Sequence, residues 1–339
     1  MTNKTTIIAE AGVNHNGDLN EAKKLIIAAK DVGADFVKFQ SFKADELVSK
    51  KALKSPYQIK NTRKKESLYE MLKSLTLSFP DLSILKEFAD KKGIKLISTP
   101  FDMRSADELE KLKVKIIKIS SGDITNLPLI SYVAKKKIPM IISTGRSNIK
   151  EVKEAVEAVE KMNFKEISLL HCVSYYPANF DDLNLRAIHT LKKEFNYTVG
   201  FSDHSKGIEA SIAAVSLGAE IIEKHITMNC KQEGPDHSAS LEPYEFKKMI
   251  ESIRNIERSL GDGKKVPAES EKLGIKMVRR SLTANKNIDV GTIIKENDIG
   301  IKRPADGIAP KHFKEIIGMK VKENIGKDEP IKWENLEKN

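Results

Sequence analysis

The chain has 339 residues, too many for one small core and enough for a barrel-sized domain with a smaller companion. Its 58 basic and 48 acidic residues leave a net charge of +10, and 40% hydrophobic content describes a globular rather than a disordered chain. Nothing approaches the roughly eighteen uninterrupted apolar residues of a membrane span, and the start MTNKTTIIAEAG lacks a secretion signal, so a cytoplasmic protein is expected. Cys172 and Cys230 have no CxxC partner, which excludes a disulfide framework and a thiolate metal site.

Eight short β-branched runs follow along the chain, beginning near Thr5 (TTIIAEAG), Asp35 (DFVKFQSF), Ile94 (IKLISTP), Val114 (VKIIKISSG), Ile138 (IPMIISTG), Glu166 (EISLLHC), Tyr197 (YTVGFSDH) and Ala219 (AEIIEKHI). Amphipathic patterns over residues 19–32, 79–92, 148–161 and 206–217 alternate with them, and a further helix is predicted over about 242–260. A doubly wound open sheet uses the same units, but eight βα units in about 250 residues favour an α/β fold of the closed (β/α)8 TIM-barrel kind. The one long gap, residues 41–78, is expected to be an insertion over the active face. It holds a basic cluster of Lys50, Lys51, Lys54, Lys60, Arg63, Lys64 and Lys65 with Glu66 as the lone acid. Without interleaved aromatics or zinc-finger spacing, this reads as a solvated or anion-attracting loop, not a nucleic-acid site.

The predicted barrel occupies residues 1–260, a turn-rich linker 261–280, and a small β-rich domain 281–339. In that tail KNIDVGTIIKENDI and KENIGKDEPIKWENL repeat one pattern, a hydrophobic run opened by a glycine turn. At about sixty residues such a domain is marginal alone and is expected to dock on a barrel, its own or a partner's.

Only the carboxyl ends of barrel strands open onto the active face, and here every strand ends polar. The ends supply Glu10; Lys38 and Gln40; Ser98 and Thr99; Lys118, Ser120, Ser121 and Asp123; Ser143 and Thr144; His171; Ser202, Asp203 and His204; and Glu223, Lys224 and His225. Two lysines with several hydroxyls suit a phosphate, so Lys38 and Lys118 are the expected anion clamp, although Ser/Thr-Gly pairs also serve as ordinary turns and caps. His204 and His225 end adjacent strands and can approach one divalent cation, or can be hydrogen-bonded structural residues. Glu10, Asp123 and Asp236 are candidate proton handlers or hydroxyl binders. Tyr176, after the sixth strand, suits either the site or packing.

The motifs IIAEAGVNHNGD, VKFQSFKADEL, ISTPFD, KISSGDITNLPLI, IISTG, LLHCVSYYPA, VGFSDHSKG, EKHITM and GPDHSASLEP resemble those of the sialic acid (N-acetylneuraminate) synthases and the similar legionaminate and pseudaminate synthases. IKRPADGI resembles their C-terminal antifreeze-like (SAF) domain, so the likeness spans essentially the whole chain. The resemblance implies condensation of phosphoenolpyruvate with an N-acetylmannosamine-type sugar to a nine-carbon α-keto acid and phosphate by C–O cleavage, with Mn²⁺ or Mg²⁺. By the same resemblance His204 and His225 are metal ligands, and Lys38, Thr99, Lys118, Ser121, Ser143 and Ser202 contact phosphoenolpyruvate. It puts Glu10, Gln40, Asp123, Tyr176 and Asp236 near the sugar or the reacting carbons. Arg303 falls on the arginine that reaches the partner's site in a domain-swapped homodimer.

Three positions depart from the family pattern: Arg146 stands where methionine usually follows STG, Ser174 where Asn or Thr is common and substrate contact is expected, and Asp123 where Glu is usual. Three other functions compete with the first. The acceptor could be 2,4-diacetamido-2,4,6-trideoxymannose, giving N,N'-diacetyllegionaminate, which needs a less polar pocket around C6. A metal-dependent barrel hydrolase would collect more histidines, often as HxH, which this chain lacks. A non-catalytic sugar-acid binder would be expected to have lost Lys38, Lys118 or a metal histidine.

Overall fold

The computed structural model describes residues 4–338. Its first unit, through Asp262, alternates β1 (Thr6–Gly12), α1 (Leu19–Asp31), β2 (Phe36–Ser41), α2 (Ala44–Leu47), α3 (Pro56–Thr62), α4 (Leu68–Leu75), α5 (Phe79–Lys92), β3 (Lys95–Pro100), α6 (Met103–Lys111) and β4 (Ile117–Ile119). It continues with α7 (Leu127–Lys135), β5 (Met140–Ser143), α8 (Ile149–Glu160), β6 (Ile167–Cys172), α9 (Ala187–Phe195), β7 (Thr198–Asp203), α10 (Glu209–Ser216), β8 (Ile221–His225) and α11 (Pro243–Ser259). The eight strands pair in parallel and close β8 onto β1, so the predicted TIM barrel is the observed one.

Local chemistry sets the element ends. Asp18, Ser78 and Asn148 cap α1, α5 and α8 by accepting from backbone N–H groups of the first turn. The helix expected from residue 206 begins at Glu209, because Gly207 holds a left-handed φ of 72°. β4 is shorter than its hydrophobic run: it meets β3 at one register pair, Ser98 with Ile117, and residues 114–116 stay outside the ladder.

The side-chain period of two stacks the barrel interior in layers. Ile8, Ile97, Ile141, Leu170 and Ile221, flanked by Phe36 and Ile116, form an apolar plug. β7 contributes Gly200 to this level, where an added Cβ would lie 2.3 Å from the Ile221 carbonyl oxygen and 2.7 Å from Leu170, so no side chain fits there. A larger core of Leu25, Ile26, Leu85, Leu109, Val159, Phe201 and Phe246, among others, seals the helices onto the outer strand faces.

The second unit, from Gly263 onward, has its own core of Leu282, Ala284, Ile288, Ile294, Ile299, Ile316, Val321 and Leu336, among others. The stretch read as a linker carries two short helices, α12 (Glu269–Lys272) and α13 (Ile275–Val278). β9 (Ser281–Ala284) pairs antiparallel with β10 (Ile299–Lys302); α14 (Phe313–Ile316) follows, and β11 (Lys320–Val321) pairs with β12 (Leu336–Glu337). The sequence repeat has a structural counterpart, since Ile288 and Ile325, from equivalent places in the two halves, bridge each other. Among the described residues no helix is long and apolar enough to cross a membrane.

Candidate active site

One strand period above the apolar plug the interior turns polar. Glu10, Lys38, Thr99, Lys118, Ser143, Cys172, Ser202 and Glu223 each follow a plug position by two residues, and all eight are buried. A third level, another two residues on, brings Gln40, Ser120, Ser174, His204 and His225 to the mouth. A cavity of about 270 Å³ opens onto both levels.

The lysines do not form a free anion clamp. Lys38 Nζ lies 2.8 Å from Glu10 Oε2 and 3.7 Å from Glu223 Oε2, while Lys118 Nζ lies 3.4 Å from Glu223 Oε1. The four charges cancel when both carboxylates are ionised. Burial raises Glu10 to about 7, against the opposing pull of Lys38. Burial would also raise Glu223, but Lys118 and Lys38 outweigh it, and a hydrogen bond from Ser202 Oγ at 2.9 Å adds to the hold on its anion. Two neighbouring carboxylates pushed apart in this way leave Glu223 a fixed anion and Glu10 able to exchange a proton near neutrality.

His204 and His225 meet edge to face with ring centroids 5.4 Å apart, and the Tyr176 ring lies tilted against His204 at 4.1 Å. His204 donates from Nδ1 to the Val173 carbonyl at 2.8 Å, so Nε2 carries the lone pair in the neutral ring; burial works against protonation, but Cys172 and the Val173 bond outweigh it and raise the pKa. His225 Nδ1 is buried without a hydrogen-bond partner, 3.9 Å from Asp236 Oδ2. Burial, reinforced by His204 and Lys38, holds His225 well below the ordinary imidazole value, in the neutral form a metal requires. Among the described residues no group of three or more His, Cys, Asp or Glu is arranged to hold an ion. These two nitrogens fit a divalent cation whose other positions go to water and substrate oxygens. Burial raises Asp236 to about 6.

Hydroxyls gather on the β4, β5 and β6 side. Ser121 Oγ accepts from the Gly145 N–H at 2.9 Å, and an added Cβ on Gly145 would strike Ser174 Oγ at 2.3 Å and Ser121 Oγ at 2.8 Å. Ser143 Oγ is buried and has no partner, so it has a proton to donate to an anion in the cavity.

Of the residues expected from the sequence, Glu10, Lys38, Gln40, Thr99, Lys118, Ser121, Ser143, Ser174, Tyr176, Ser202, His204, His225 and Asp236 line this one cavity. Asp123 does not: its carboxylate is taken up by Ser120 Oγ at 2.6 Å and Asn126 Nδ2 at 3.3 Å, at the turn before α7. Arg303 belongs to the second unit, where it is exposed.

Sequence reasoning gives no role to four contributors. Glu223 shares an inward face with His225 two residues on, a signal that period two could have given. Cys172 ends β6, with its thiol 3.6 Å from His204 Nδ1. Tyr57, on α3, sits 5.3 Å ring to ring from Tyr176, so the insertion does reach over the mouth. Leu47 on α2, Met71, Leu72 and Leu75 on α4, Val13 and Phe101 form an apolar wall of the cavity, which no local pattern marks.

The NeuB family model matches residues 25–265, and the SAF domain model matches residues 279–337. The chain is 49% identical to the N,N'-diacetyllegionaminic acid synthase of Campylobacter jejuni subsp. jejuni over 97% of this chain and 99% of that relative. It is 46% identical to the enzyme of the same name from Legionella pneumophila subsp. pneumophila, over 98% of this chain and 94% of that one. Among solved structures, the N-acetylneuraminic acid (sialic acid) synthetase of Leptospira borgpetersenii serovar Hardjo-bovis superposes with a TM-score of 0.71 at 39% identity, covering 81% of this chain and 91% of that one.

Proposed function

The chain belongs to the NeuB family of nonulosonate synthases, and from that premise we propose that it condenses phosphoenolpyruvate with 2,4-diacetamido-2,4,6-trideoxymannose and water, giving N,N'-diacetyllegionaminate and phosphate. The observation that carries the choice of acceptor is the 49% and 46% identity, over nearly whole chains, to two synthases of that product. N-acetylmannosamine, the first expectation from the motifs alone, becomes the second reading. The apolar wall of Val13, Leu47, Met71, Leu72, Leu75 and Phe101 supports the order. Burying a C6 methyl against it gains about 0.8 kcal/mol, whereas burying an unpartnered hydroxyl costs about 1–3 kcal/mol.

In this reading His204 and His225 hold a divalent cation, Mn²⁺ or Mg²⁺, which when bound supplies Lewis acidity toward the aldehyde oxygen of the open-chain sugar. Thr99, Ser121, Ser143 and Ser174 turn hydroxyls toward the enol phosphate, while Ser202, whose proton goes to Glu223, borders it. Lys38 and Lys118 offset the negative charge of the enol phosphate as C3 of phosphoenolpyruvate attacks the aldehyde carbon, whose oxygen takes up a proton, and the ionised Glu223 offsets the positive charge that passes to C2. Glu10, with a pKa near 7, takes the proton of the water that adds at C2. The hemiketal then breaks the C2–O bond to the phosphoryl oxygen, its C2 hydroxyl passing its proton to the departing phosphate as the C2 ketone forms, and phosphate leaves toward the hydroxyls. Gln40, donating to Glu10 at 3.3 Å, holds that carboxylate in place, and Tyr176 and Asp236 border the sugar. Arg303, exposed in the second unit, acts in the partner's cavity of a domain-swapped homodimer.

Phosphate release from phosphoenolpyruvate is expected to require the diacetamido sugar, to stop on chelation and to return with Mn²⁺. Release without any aldose, or release indifferent to chelation, would overturn this reading.

A further inference from the structure

We propose that Arg146 is a phosphoenolpyruvate-binding residue of this chain, adding at the cavity rim positive charge to that of the two buried lysines, which Glu10 and Glu223 match. The inference rests on phosphoenolpyruvate being the substrate. Lys38 and Lys118 are each matched by a buried carboxylate, so with Glu10 and Glu223 ionised the floor of the site is neutral overall. A substrate bearing both a carboxylate and a phosphate needs more charge than that. Arg146 lines the same cavity, and no carboxylate among the described residues lies within ion-pair distance of it.

Its placement is specific. Arg146 directly follows Gly145, which the Ser121 and Ser174 hydroxyls press against, and lies three residues after the unpartnered Ser143 hydroxyl. Its backbone holds a left-handed φ of 58°, uncommon for a residue with a Cβ and found more often where function requires it. The guanidinium donates to the Ser174 carbonyl from Nε at 3.3 Å and Nη2 at 2.9 Å. That anchor ties the loop after β5 to the loop carrying Ser174 and Tyr176. It uses two of the five guanidinium N–H groups and leaves the others for an anion. Methionine at this position could make neither contact.

Because the guanidinium is exposed, its contribution is screened by salt. Replacing Arg146 with Met should raise KM for phosphoenolpyruvate about tenfold at low ionic strength, with kcat within about threefold and the acceptor KM unchanged. The difference should shrink as salt is added. Inhibition by inorganic phosphate should weaken in parallel, and Arg146→Lys should recover part of the loss. A KM for phosphoenolpyruvate equal to wild type, or a loss confined to kcat and insensitive to salt, would overturn the assignment. Calorimetric titration of both proteins with phosphoenolpyruvate separates the two readings. Wild-type binding that Arg146→Met weakens, without turnover, would sink the proposed reaction and keep Arg146 as an anion site; equal binding by both would sink the Arg146 proposal alone. Failure of wild type to bind either phosphoenolpyruvate or inorganic phosphate would sink both.

Discussion

Replacing Glu223 with glutamine is expected to lower kcat/KM at least about a hundredfold and to destabilise the barrel by roughly 2–4 kcal/mol. Glu223 is the shared counter-ion of Lys118 at 3.4 Å and Lys38 at 3.7 Å, and all three side chains are buried. An amide keeps the shape and the bond from Ser202 but leaves one lysine without a negative partner. That lysine must either stay charged in a poor solvent or lose its proton, and either course spoils the support it gives the phosphate. Urea unfolding and phosphate release would be measured on the same preparations. Adding Lys118→Met to the Glu223→Gln variant should return much of the stability and none of the activity, since the unpaired charge goes but the phosphate contact does not come back. A Glu223→Gln protein with wild-type stability would contradict the charge pattern described for the cavity.

Changing His225 to alanine is expected to remove metal-stimulated turnover, by about a thousandfold or more, while the protein remains folded. The buried Nδ1 of His225 makes no hydrogen bond within the protein, so its removal breaks no polar network, and the apolar plug lies two levels below. The far-ultraviolet spectrum and unfolding midpoint should stay near wild type, apart from the modest cost of a vacated ring. A His225→Ala enzyme still fully active and stimulated by Mn²⁺ would show that the pair of histidines does not hold the ion.

Much of the barrel and its polar mouth is legible in the amino-acid sequence, for reasons particular residues make clear. β-branched runs ending in Glu10, Lys38, Ser143 or His204 carry both the strand signal and the polar switch, so fold and site face come together. Glu223 stands in the strand-end list but is hard to single out there, because Lys224 and His225 lie beside it. Only the alternation of inward and outward positions separates Glu223, facing the site, from Lys224, which points away to pair with Asp203 at 2.9 Å. Asp123 is held away from the cavity for a related reason. Sitting after a strand end selects the face of the barrel but not the side chain's direction, and the Ser120 hydroxyl captures the carboxylate locally. The apolar wall has no signature in the sequence. Met71, Leu72 and Leu75 look like any amphipathic stripe, and only the tertiary position of α4 makes that stripe a cavity lining. Two lysines suggest a clamp, but their buried carboxylate partners lie on other strands, and that pairing leaves Arg146 as the cation at the rim without a carboxylate partner among the described residues.

The most direct measurement is a competition: limiting phosphoenolpyruvate, Mn²⁺, and equal concentrations of 2,4-diacetamido-2,4,6-trideoxymannose and N-acetylmannosamine in one reaction, with the two nine-carbon acids counted by mass. The product ratio equals the ratio of kcat/KM values, and burial of the C6 methyl against the wall puts it about ten- to a hundredfold in favour of N,N'-diacetyllegionaminate. A ratio near one, or an excess of N-acetylneuraminate, would contradict the acceptor assigned to this cavity.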